Sequence, residues 1–232
     1  MSASLLTVDG LASGYGGAPV INDVSLSVRP GEIVTVLGKN GMGKTTLLKT
    51  LMGFLKVAKG RITLEGKDIT GRPPHLMAPN GVAYAPQDYT LFQDLTVQEN
   101  LRLGVADDTT FRERVDALRD VFPRMLERLK QRAGTLSGGE QKMLLMSRAL
   151  INRPRLMLVD EISEGLQPTM IDRMAEVLKK TQKDEGTAVL LVEQHLAFAL
   201  SIADRYAILK LGSLVEEGQA ADASNVADHL RV

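Results

Sequence analysis

The stretch Gly38-Lys39-Asn40-Gly41-Met42-Gly43-Lys44-Thr45 decides the fold class of this chain. It matches the pattern G-x-x-x-x-G-K-[S/T] and lies between a short apolar run, Glu32–Leu37, and a helix predicted from near Gly43 to Gly53. Glycines let successive backbone N–H groups curve around a phosphate, and the helix start adds donors that have no partner within the helix. The sequence therefore predicts a nucleotide-binding loop in an α/β protein.

Individual residues of this loop have predicted roles toward ATP and Mg²⁺. Lys44 supplies a positive charge for the β- and γ-phosphates, Thr45 a hydroxyl for Mg²⁺, and Thr46 a hydroxyl for the α-phosphate. A glycine-rich turn before an ordinary helix is the plain alternative, but every fixed position of the pattern is matched in the required context. The other predicted nucleotide contacts of the loop are Gly38, Asn40, Gly41 and Gly43.

Two carboxylates follow a buried-strand pattern later in the chain. The apolar run Leu156–Val159 leads directly into Asp160 and Glu161. Ligands of open parallel sheets bind at the carboxyl ends of strands, so both side chains are expected near the phosphate loop. We expect Asp160 to hold Mg²⁺, through water, and Glu161 to polarise the water that attacks the γ-phosphate.

Composition limits the possible functions. The 232 residues are 44% hydrophobic and 24% charged, as in a soluble globular protein, and there is no cysteine for a disulfide or thiolate metal site. Lys plus Arg and Asp plus Glu both total 28, which argues against nonspecific nucleic-acid binding. No stretch has the length of a membrane helix, and the first ten residues do not match a secretory signal.

The remaining pattern predicts one α/β domain over residues 1–232, with a core of about 1–86 and 142–232 and a helical insertion of about 87–141. Helices are predicted at Val97–Leu103, Phe111–Leu129, Met170–Lys183 and Leu196–Ile202. Strands are predicted at Leu5–Val8, Val24–Val28, Glu32–Leu37, Arg61–Leu64, Val82–Ala85, Leu156–Val159 and Ala188–Val192, with a closing hairpin of Tyr206–Leu211 and Leu214–Glu217.

The motif Leu136-Ser137-Gly138-Gly139-Glu140-Gln141 narrows the class of P-loop protein. Ser137 and Glu140 have the spacing of a capping box, so a helix is expected to start there with an open, anion-attracting end. The motif resembles the signature of ABC ATPases, and the order of motifs resembles that family over essentially the whole chain. The resemblance implies a P-loop NTPase core with a mostly parallel sheet, an N-terminal antiparallel β subdomain and a helical insertion.

The resemblance also implies roles for residues outside the phosphate loop. Tyr15 resembles the aromatic residue that stacks on adenine, and Gln87 resembles the glutamine that reaches Mg²⁺. The signature residues would contact the γ-phosphate held by a second ATPase subunit, in a head-to-tail pair. They are Ser137, Gly138, Gly139 and Glu140.

Some positions depart from the family pattern. Where most ABC ATPases have a histidine at the γ-phosphate, register places Gln194, and His195 follows one residue later. The register favours Gln194, although the exit turn of the strand could direct His195 there instead. Ile162 stands where proline is usual, and Gln167 where an aspartate commonly crosses the dimer interface. The second change puts one contact between subunits in doubt.

Further stretches resemble the second ATP-binding subunit of bacterial branched-chain amino-acid importers. They are Gly38–Gly53, Phe122–Arg124, Gln131–Ser137 and Leu191–Gln194. A sister group that imports urea or short amides is nearly indistinguishable at these positions. The implied partners are membrane permease subunits, a second ATPase subunit and, indirectly, a periplasmic solute-binding protein. The second ATPase subunit is either a related, different chain or another copy of this one. The implied location is the cytoplasmic face of the plasma membrane.

Two other classes of ATP-using protein fit this sequence less well. Soluble ABC ATPases that act on nucleic acid or the ribosome usually carry a coiled-coil insertion or tandem ATPase domains, for which 232 residues leave no room. P-loop kinases of small molecules lack the LSGGEQ motif and need a second substrate pocket. The sequence therefore favours a transporter ATPase that does not bind nucleic acid.

Overall fold

The computed structural model describes residues 3–87, 91–105, 107–120, 122–223 and 226. Its strands are β1 (Leu6–Ser13), β2 (Ile21–Val28), β3 (Ile33–Leu37), β4 (Val57–Leu64), β5 (Lys67–Asp68), β6 (Val82–Ala85), β7 (Leu156–Asp160), β8 (Ala188–Glu193), β9 (Arg205–Lys210) and β10 (Ser213–Gln219). Its α-helices are α1 (Lys44–Leu51), α2 (Val97–Arg102), α3 (Phe111–Ala117), α4 (Pro123–Glu127), α5 (Gly138–Leu150), α6 (Pro168–Glu185) and α7 (Leu196–Ile202). The predicted α/β class is confirmed. Within the described ranges, no helix combines the length and apolar character needed to cross a bilayer.

The strands form two sheets in the described part of the chain. The first has the order β2-β1-β4-β5 and is antiparallel. The second has the order β10-β9-β3-β8-β7-β6, in which only the β10–β9 pair is antiparallel. The predicted combination of an N-terminal antiparallel sheet and a mostly parallel sheet is confirmed.

Five parallel strands end at the same edge of the second sheet. Strands β3, β6, β7, β8 and β9 are parallel to one another and end at Leu37, Ala85, Asp160, Glu193 and Lys210. The carboxyl ends of parallel strands are where such sheets bind ligands. The chain segments that follow these strands therefore surround one site.

The second sheet is buried on both faces. Side chains of β7 alternate between two apolar clusters: Leu156 and Leu158 pack with the first sheet and α1, while Met157 and Val159 pack with α5, α6 and the helical insertion. The alternation follows from the two-residue period of a strand. Continuous apolar runs are typical of parallel strands covered on both sides.

The predicted helix at 111–129 is wrong as a single element. The structure has α3, a 3-10 helix over Leu118–Asp120, and then α4, which begins at Pro123. Proline cannot donate a backbone hydrogen bond and disfavours the helical conformation of the residue before it. Phe122 accordingly has φ −137° and ψ 68°. Val121 lies outside the described residues.

Other predicted elements are present with shifted ends. Strands β1, β2 and β4 are longer than predicted, because they continue pairing around register shifts in the antiparallel sheet. The short strand β5 had no prediction. The predicted border of the insertion at residue 141 falls inside α5, so the border does not coincide with the end of an element.

Candidate nucleotide-binding site

The phosphate loop connects β3 to α1 in a conformation that requires glycine. A Cβ atom on Gly38 would lie 2.6 Å from the carbonyl oxygen of Leu209, so the loop packs directly against the end of β9. Gly43 precedes α1 with a φ of +103°, which L side chains rarely adopt. Asn40 and Gly41 are exposed at the tip of the loop. These features support the prediction that the backbone of this loop curves around a phosphate.

Lys44 extends into the site from the first turn of α1. Its side chain is 3% exposed, and its ammonium donates hydrogen bonds to the carbonyl oxygens of Gly38 (2.6 Å) and Lys39 (2.8 Å). The same ammonium forms an ion pair with Glu161 Oε1 at 3.0 Å. A buried charge is tolerated only when it is paired and hydrogen-bonded, as here. A triphosphate bound in the loop would compete with Glu161 for this ammonium.

Asp160 lies at the end of β7 and is fully buried. Its carboxylate accepts hydrogen bonds from the hydroxyls of Thr45 and Tyr84, both at 3.1 Å. Burial raises the pKa of Asp160 to about 6, and the two hydrogen bonds and Lys49 counteract part of that rise. The fold therefore holds a carboxylate that gains little from water and is available to a cation.

The donor set at this point fits Mg²⁺. The Thr45 hydroxyl and the Asp160 carboxylate are hard oxygen donors 3.1 Å apart, and Mg²⁺ commonly binds one or two such protein groups together with water and phosphate oxygens. Gln87, also predicted at the metal, instead donates from Nε2 to Glu161 Oε2 (3.1 Å) and Glu164 Oε2 (2.6 Å). The structure thus brings Gln87 beside Glu161, while its role toward Mg²⁺ stays a prediction.

Glu161 occupies a strained backbone conformation at the start of the loop that follows β7. Its φ is +45°, a left-handed conformation that costs roughly 1–2 kcal/mol in a residue with a side chain. Its backbone N–H donates to the carbonyl oxygen of Val192 at 3.0 Å, which fixes the turn against β8. The carboxylate is directed to Lys44 and Gln87, next to the phosphate loop.

The segment after β8 brings both candidates for γ-phosphate contact to the same cavity. Asn40, Glu161, Gln194 and His195 all line it. The backbone N–H groups of Gln194 and His195 donate to Glu193 Oε2, at 3.2 and 3.4 Å. The imidazole of His195 stacks on the ring of Phe198, with centroids 6.5 Å apart. This contact engages the histidine along α7, which favours Gln194, although the choice between them stays a prediction.

The signature motif forms the predicted capping box at the start of α5. Ser137 Oγ accepts from the backbone N–H of Glu140, and the Glu140 carboxylate accepts from the backbone N–H and hydroxyl of Ser137, at 2.9 and 2.8 Å. Those hydrogen bonds, led by the one from the Ser137 backbone, lower the pKa of Glu140. Arg128 pairs with the same carboxylate at 2.8 Å.

The signature residues open onto a cavity of about 410 Å³ that is separate from the phosphate loop. Ser137, Gly138, Gly139 and Glu140 line it together with Gln167. Among the described residues, none that lines this cavity also lines the cavity at Glu161. One chain therefore presents two distinct cavities, each bearing part of the predicted site.

Thr46 and Tyr15, the two remaining predicted nucleotide contacts, differ in their burial. Thr46 is buried in the first turn of α1. Tyr15 is 62% exposed and lies in the connection between β1 and β2. It lines a separate groove that also includes Phe54 and Tyr84. The stacking of Tyr15 on adenine stays a prediction.

The sequence did not predict three polar groups that support the site. Tyr84 holds Asp160, and buried Glu193 accepts hydrogen bonds from Ser163 N (3.0 Å) and Oγ (2.8 Å), with burial as the main cause of its raised pKa. Lys142, on α5, contacts the loop after β7. The apolar stripe that Lys142 shares with Leu145 and Ala149 at helical spacing was the available signal of its burial.

The fold and site together define a P-loop nucleotide-binding protein with an additional signature helix. Residues 21–164 match the family model described as ABC transporter. The chain therefore belongs to the ABC transporter family.

Relatives with this family's architecture cover almost the whole chain. The chain is 42% identical to the high-affinity branched-chain amino acid transport ATP-binding protein BraG of Pseudomonas aeruginosa, over 91% of each chain. It is 37% identical to the probable branched-chain amino acid transport ATP-binding protein LivF of Archaeoglobus fulgidus, over 90% of each. Among solved structures, the ADP conformation of the ABC transporter cassette MJ1267 superimposes with a TM-score of 0.88 at 25% identity, covering 98% of this chain and 96% of that one.

Proposed function

We propose that this chain is the ATP-hydrolysing subunit of an ABC importer for branched-chain or other hydrophobic amino acids. The observation that carries the proposal is the arrangement at the sheet edge, where Lys44 contacts Glu161 and Thr45 contacts Asp160. The groups to which we assign phosphate binding, metal binding and water activation are adjacent there. The family membership and the names of the relatives support the transport role.

Each group at the sheet edge has a task in hydrolysis. Lys44 and the loop backbone hold the β- and γ-phosphates, and Thr45 and Asp160 would hold a Mg²⁺ ion, which would supply further positive charge beside the phosphates. Glu161 accepts a proton from the attacking water once the triphosphate has taken over the Lys44 ammonium. Gln87 orients the Glu161 carboxylate or would serve as a ligand of the Mg²⁺ ion, and Gln194 or His195 donates a hydrogen bond to the γ-phosphate.

The complete site requires two chains. Ser137 and Gly139 line a cavity remote from the phosphate loop of their own chain, and this separation supports a head-to-tail pair in which they contact the partner's γ-phosphate. The capped start of α5 adds backbone donors and a positive dipole end for that anion. In an importer with two different ATPase subunits, the partner is a related chain.

An apolar groove supports a membrane partner. It has a volume of about 910 Å³ and lies between the core and the helical insertion. Phe54, Phe92 and Leu103 line it and are all more than half exposed, which is unusual for large apolar side chains on a protein without a partner. We propose that the permease docks there, at the cytoplasmic face of the membrane, and that the chain does not act on nucleic acid.

Uptake of labelled leucine and labelled urea, in cells carrying variants of this chain, tests the proposed function. Lys44→Ala removes the ammonium that binds the phosphates, so we expect leucine uptake to be abolished and urea uptake to be unchanged. Lys183→Ala removes an exposed lysine from the last turn of α6 and is the matched control. Loss of urea uptake alone would assign the chain to the sister group, and no change in either would contradict the importer proposal.

A second variant separates coupling from chemistry. Leu103 lines the apolar groove, is 57% exposed and is far from the phosphate loop in sequence. The substitution Leu103→Glu places a charge in this groove. We expect the purified variant to hydrolyse ATP at the wild-type rate and the cells to lose leucine uptake. Normal uptake with Leu103→Glu would remove the groove as the docking surface.

A further inference from the structure

A buried lysine on the signature helix contacts the loop that carries Glu161. The side chain of Lys142 is on the second turn of α5, and the residue is 5% exposed. Its ammonium donates hydrogen bonds to the carbonyl oxygens of Glu161 (3.5 Å), Ile162 (3.2 Å) and Glu164. One side chain therefore binds three peptide groups of the same short loop.

Packing alone does not account for a lysine at this position. Lys142 occupies the apolar side of α5, together with Leu145 and Ala149, where a methionine or leucine would fill the same space. Burial is the main cause of the lowered pKa of Lys142, and the nearby carboxylates of Glu164, Glu193 and Glu161 offset part of it. A buried ammonium is unfavourable unless its donors are used. Here they are used on the backbone of the loop.

The bonds to the loop act on a strained residue. Glu161 has a φ of +45°, and its N–H is already fixed by the carbonyl oxygen of Val192 at 3.0 Å. Its carbonyl oxygen accepts from Lys142 and, at 3.3 Å, from the N–H of Glu164. With both sides of the residue held, the Glu161 side chain extends toward Lys44 rather than toward solvent.

We propose that Lys142 is a positioning residue for ATP hydrolysis, which holds the backbone of residues 161–164 so that the Glu161 carboxylate faces the phosphate loop. The inference rests on the proposed role of Glu161 as the group that activates water. Lys142 does not touch the nucleotide or the reacting atoms. It acts through the loop, so its loss should affect the rate of the chemical step and leave nucleotide binding in place.

Steady-state hydrolysis by the purified full chain with Mg²⁺ and ATP tests this role. Lys142→Met keeps the volume and removes the donors, whereas Lys142→Gln keeps donors on a shorter side chain. Ser147→Ala is the matched control on the same helix, since its buried hydroxyl donates to the Met143 carbonyl oxygen (2.8 Å) and not to the loop. Thermal unfolding and titration with a fluorescent ATP analogue are measured for each variant.

We expect Lys142→Met to lower kcat at least about tenfold with KM and analogue affinity within about twofold, because misplacing a catalytic group slows chemistry more than binding. Lys142→Gln should recover most of the rate, and Ser147→Ala should match the wild type. A wild-type kcat in Lys142→Met would overturn the proposal, as would equal losses in all three variants with lowered unfolding temperatures. If the wild type itself does not hydrolyse ATP, the proposed function fails instead.

Discussion

Asp160 and Glu161 are adjacent carboxylates in different surroundings. Glu161 faces an ammonium at 3.0 Å, whereas the Asp160 carboxylate accepts hydrogen bonds from the hydroxyls of Thr45 and Tyr84 and is fully buried. Desolvation therefore dominates at Asp160 and raises its pKa to about 6. Asp160 is therefore suited to bind a cation, and its burial lowers the stability of the chain when no cation is bound.

The raised pKa of Asp160 predicts a specific dependence of stability on pH. An acid that binds its proton more tightly in the folded chain contributes stability that is complete below its ordinary pKa of 3.8 and is lost as the pH rises through about 6. The loss is counted from low pH, where Asp160 is protonated in both the folded and the unfolded chain. Relative to Asp160→Asn, the unfolding free energy of the wild type should be lower by about 1.5 kcal/mol at pH 5 and by about 3 kcal/mol at pH 8.

Denaturant unfolding of both proteins from pH 5 to 8, without nucleotide or Mg²⁺, measures this difference. Parallel stability curves for the wild type and Asp160→Asn would contradict it. Mg²⁺ with ATP should narrow the gap above pH 6, because the cation favours the ionised carboxylate of Asp160.

Residues in contiguous motifs were predictable, and residues joined by long-range contacts were not. Lys44, Thr45 and Asp160 were predicted from short patterns, and the structure places them together. Tyr84 and Lys142 contact the site from β6 and α5, and neither has a local pattern that specifies its partner. The directions of these two side chains depend on strand pairing and helix packing, which cannot be predicted from the local sequence.

Helices α5 and α2 begin with the same kind of capping box. Ser137 with Glu140 caps α5, and Thr96 with Glu99 caps α2. Both hydroxyls satisfy a backbone N–H that has no partner within its helix. Only the α5 cap opens onto the cavity assigned to the partner's nucleotide.

Replacing each capping hydroxyl separates stability from function. Ser137→Ala and Thr96→Ala should each lower the unfolding free energy by about 1 kcal/mol. Only Ser137→Ala should reduce ATP hydrolysis, by about tenfold or more, because a hydrogen bond to a charged phosphate contributes about 1.5–3 kcal/mol. Denaturant unfolding and steady-state hydrolysis measure the two effects. Equal hydrolysis in both variants would exclude Ser137 from the nucleotide contact.

Elements were predictable where the apolar period was uninterrupted. Helix α7 and strand β6 have the predicted bounds, and the apolar runs in β7 and β8 were identified to within one residue of their ends. The single helix predicted at 111–129 is wrong because the charge and helical spacing of this segment continue past Pro123. The effect of Pro123 on the conformation of Phe122 is local, so the break in the helix was predictable from the sequence. The extensions of β1 and β4 depend on each other as partners, and no single segment specifies them.

On the scale of the whole molecule, the chain presents halves of two sites. The phosphate loop with Asp160 and Glu161 is one half, and the cavity at Ser137 is the other. The architecture was predictable as a whole because the motifs follow one another along the chain in the order of the family, although the strands that carry them have the order β3-β8-β7-β6 in the sheet. The contacts within one chain do not define how two chains pair, so the head-to-tail pair stays a proposal.

Glu161→Gln should trap this pair. The variant keeps the size of the side chain but removes the carboxylate that would accept a proton, so bound ATP should persist and join two chains. Light scattering after gel filtration should show a dimer with ATP and a monomer with ADP. The double variant Lys44→Ala with Glu161→Gln should remain monomeric in both. A Glu161→Gln chain that stays monomeric with saturating ATP at high protein concentration would rule out a head-to-tail pair of two copies of this chain.

The Lys142 hydrogen bonds have a consequence for communication between two bound nucleotides. In a head-to-tail pair, the start of α5 contacts the nucleotide of the partner, whereas the loop after β7 acts on the chain's own nucleotide. Lys142 joins these two segments within one chain. ATP bound at one site would therefore affect the other site. The rate of hydrolysis would then depend on ATP concentration sigmoidally rather than hyperbolically.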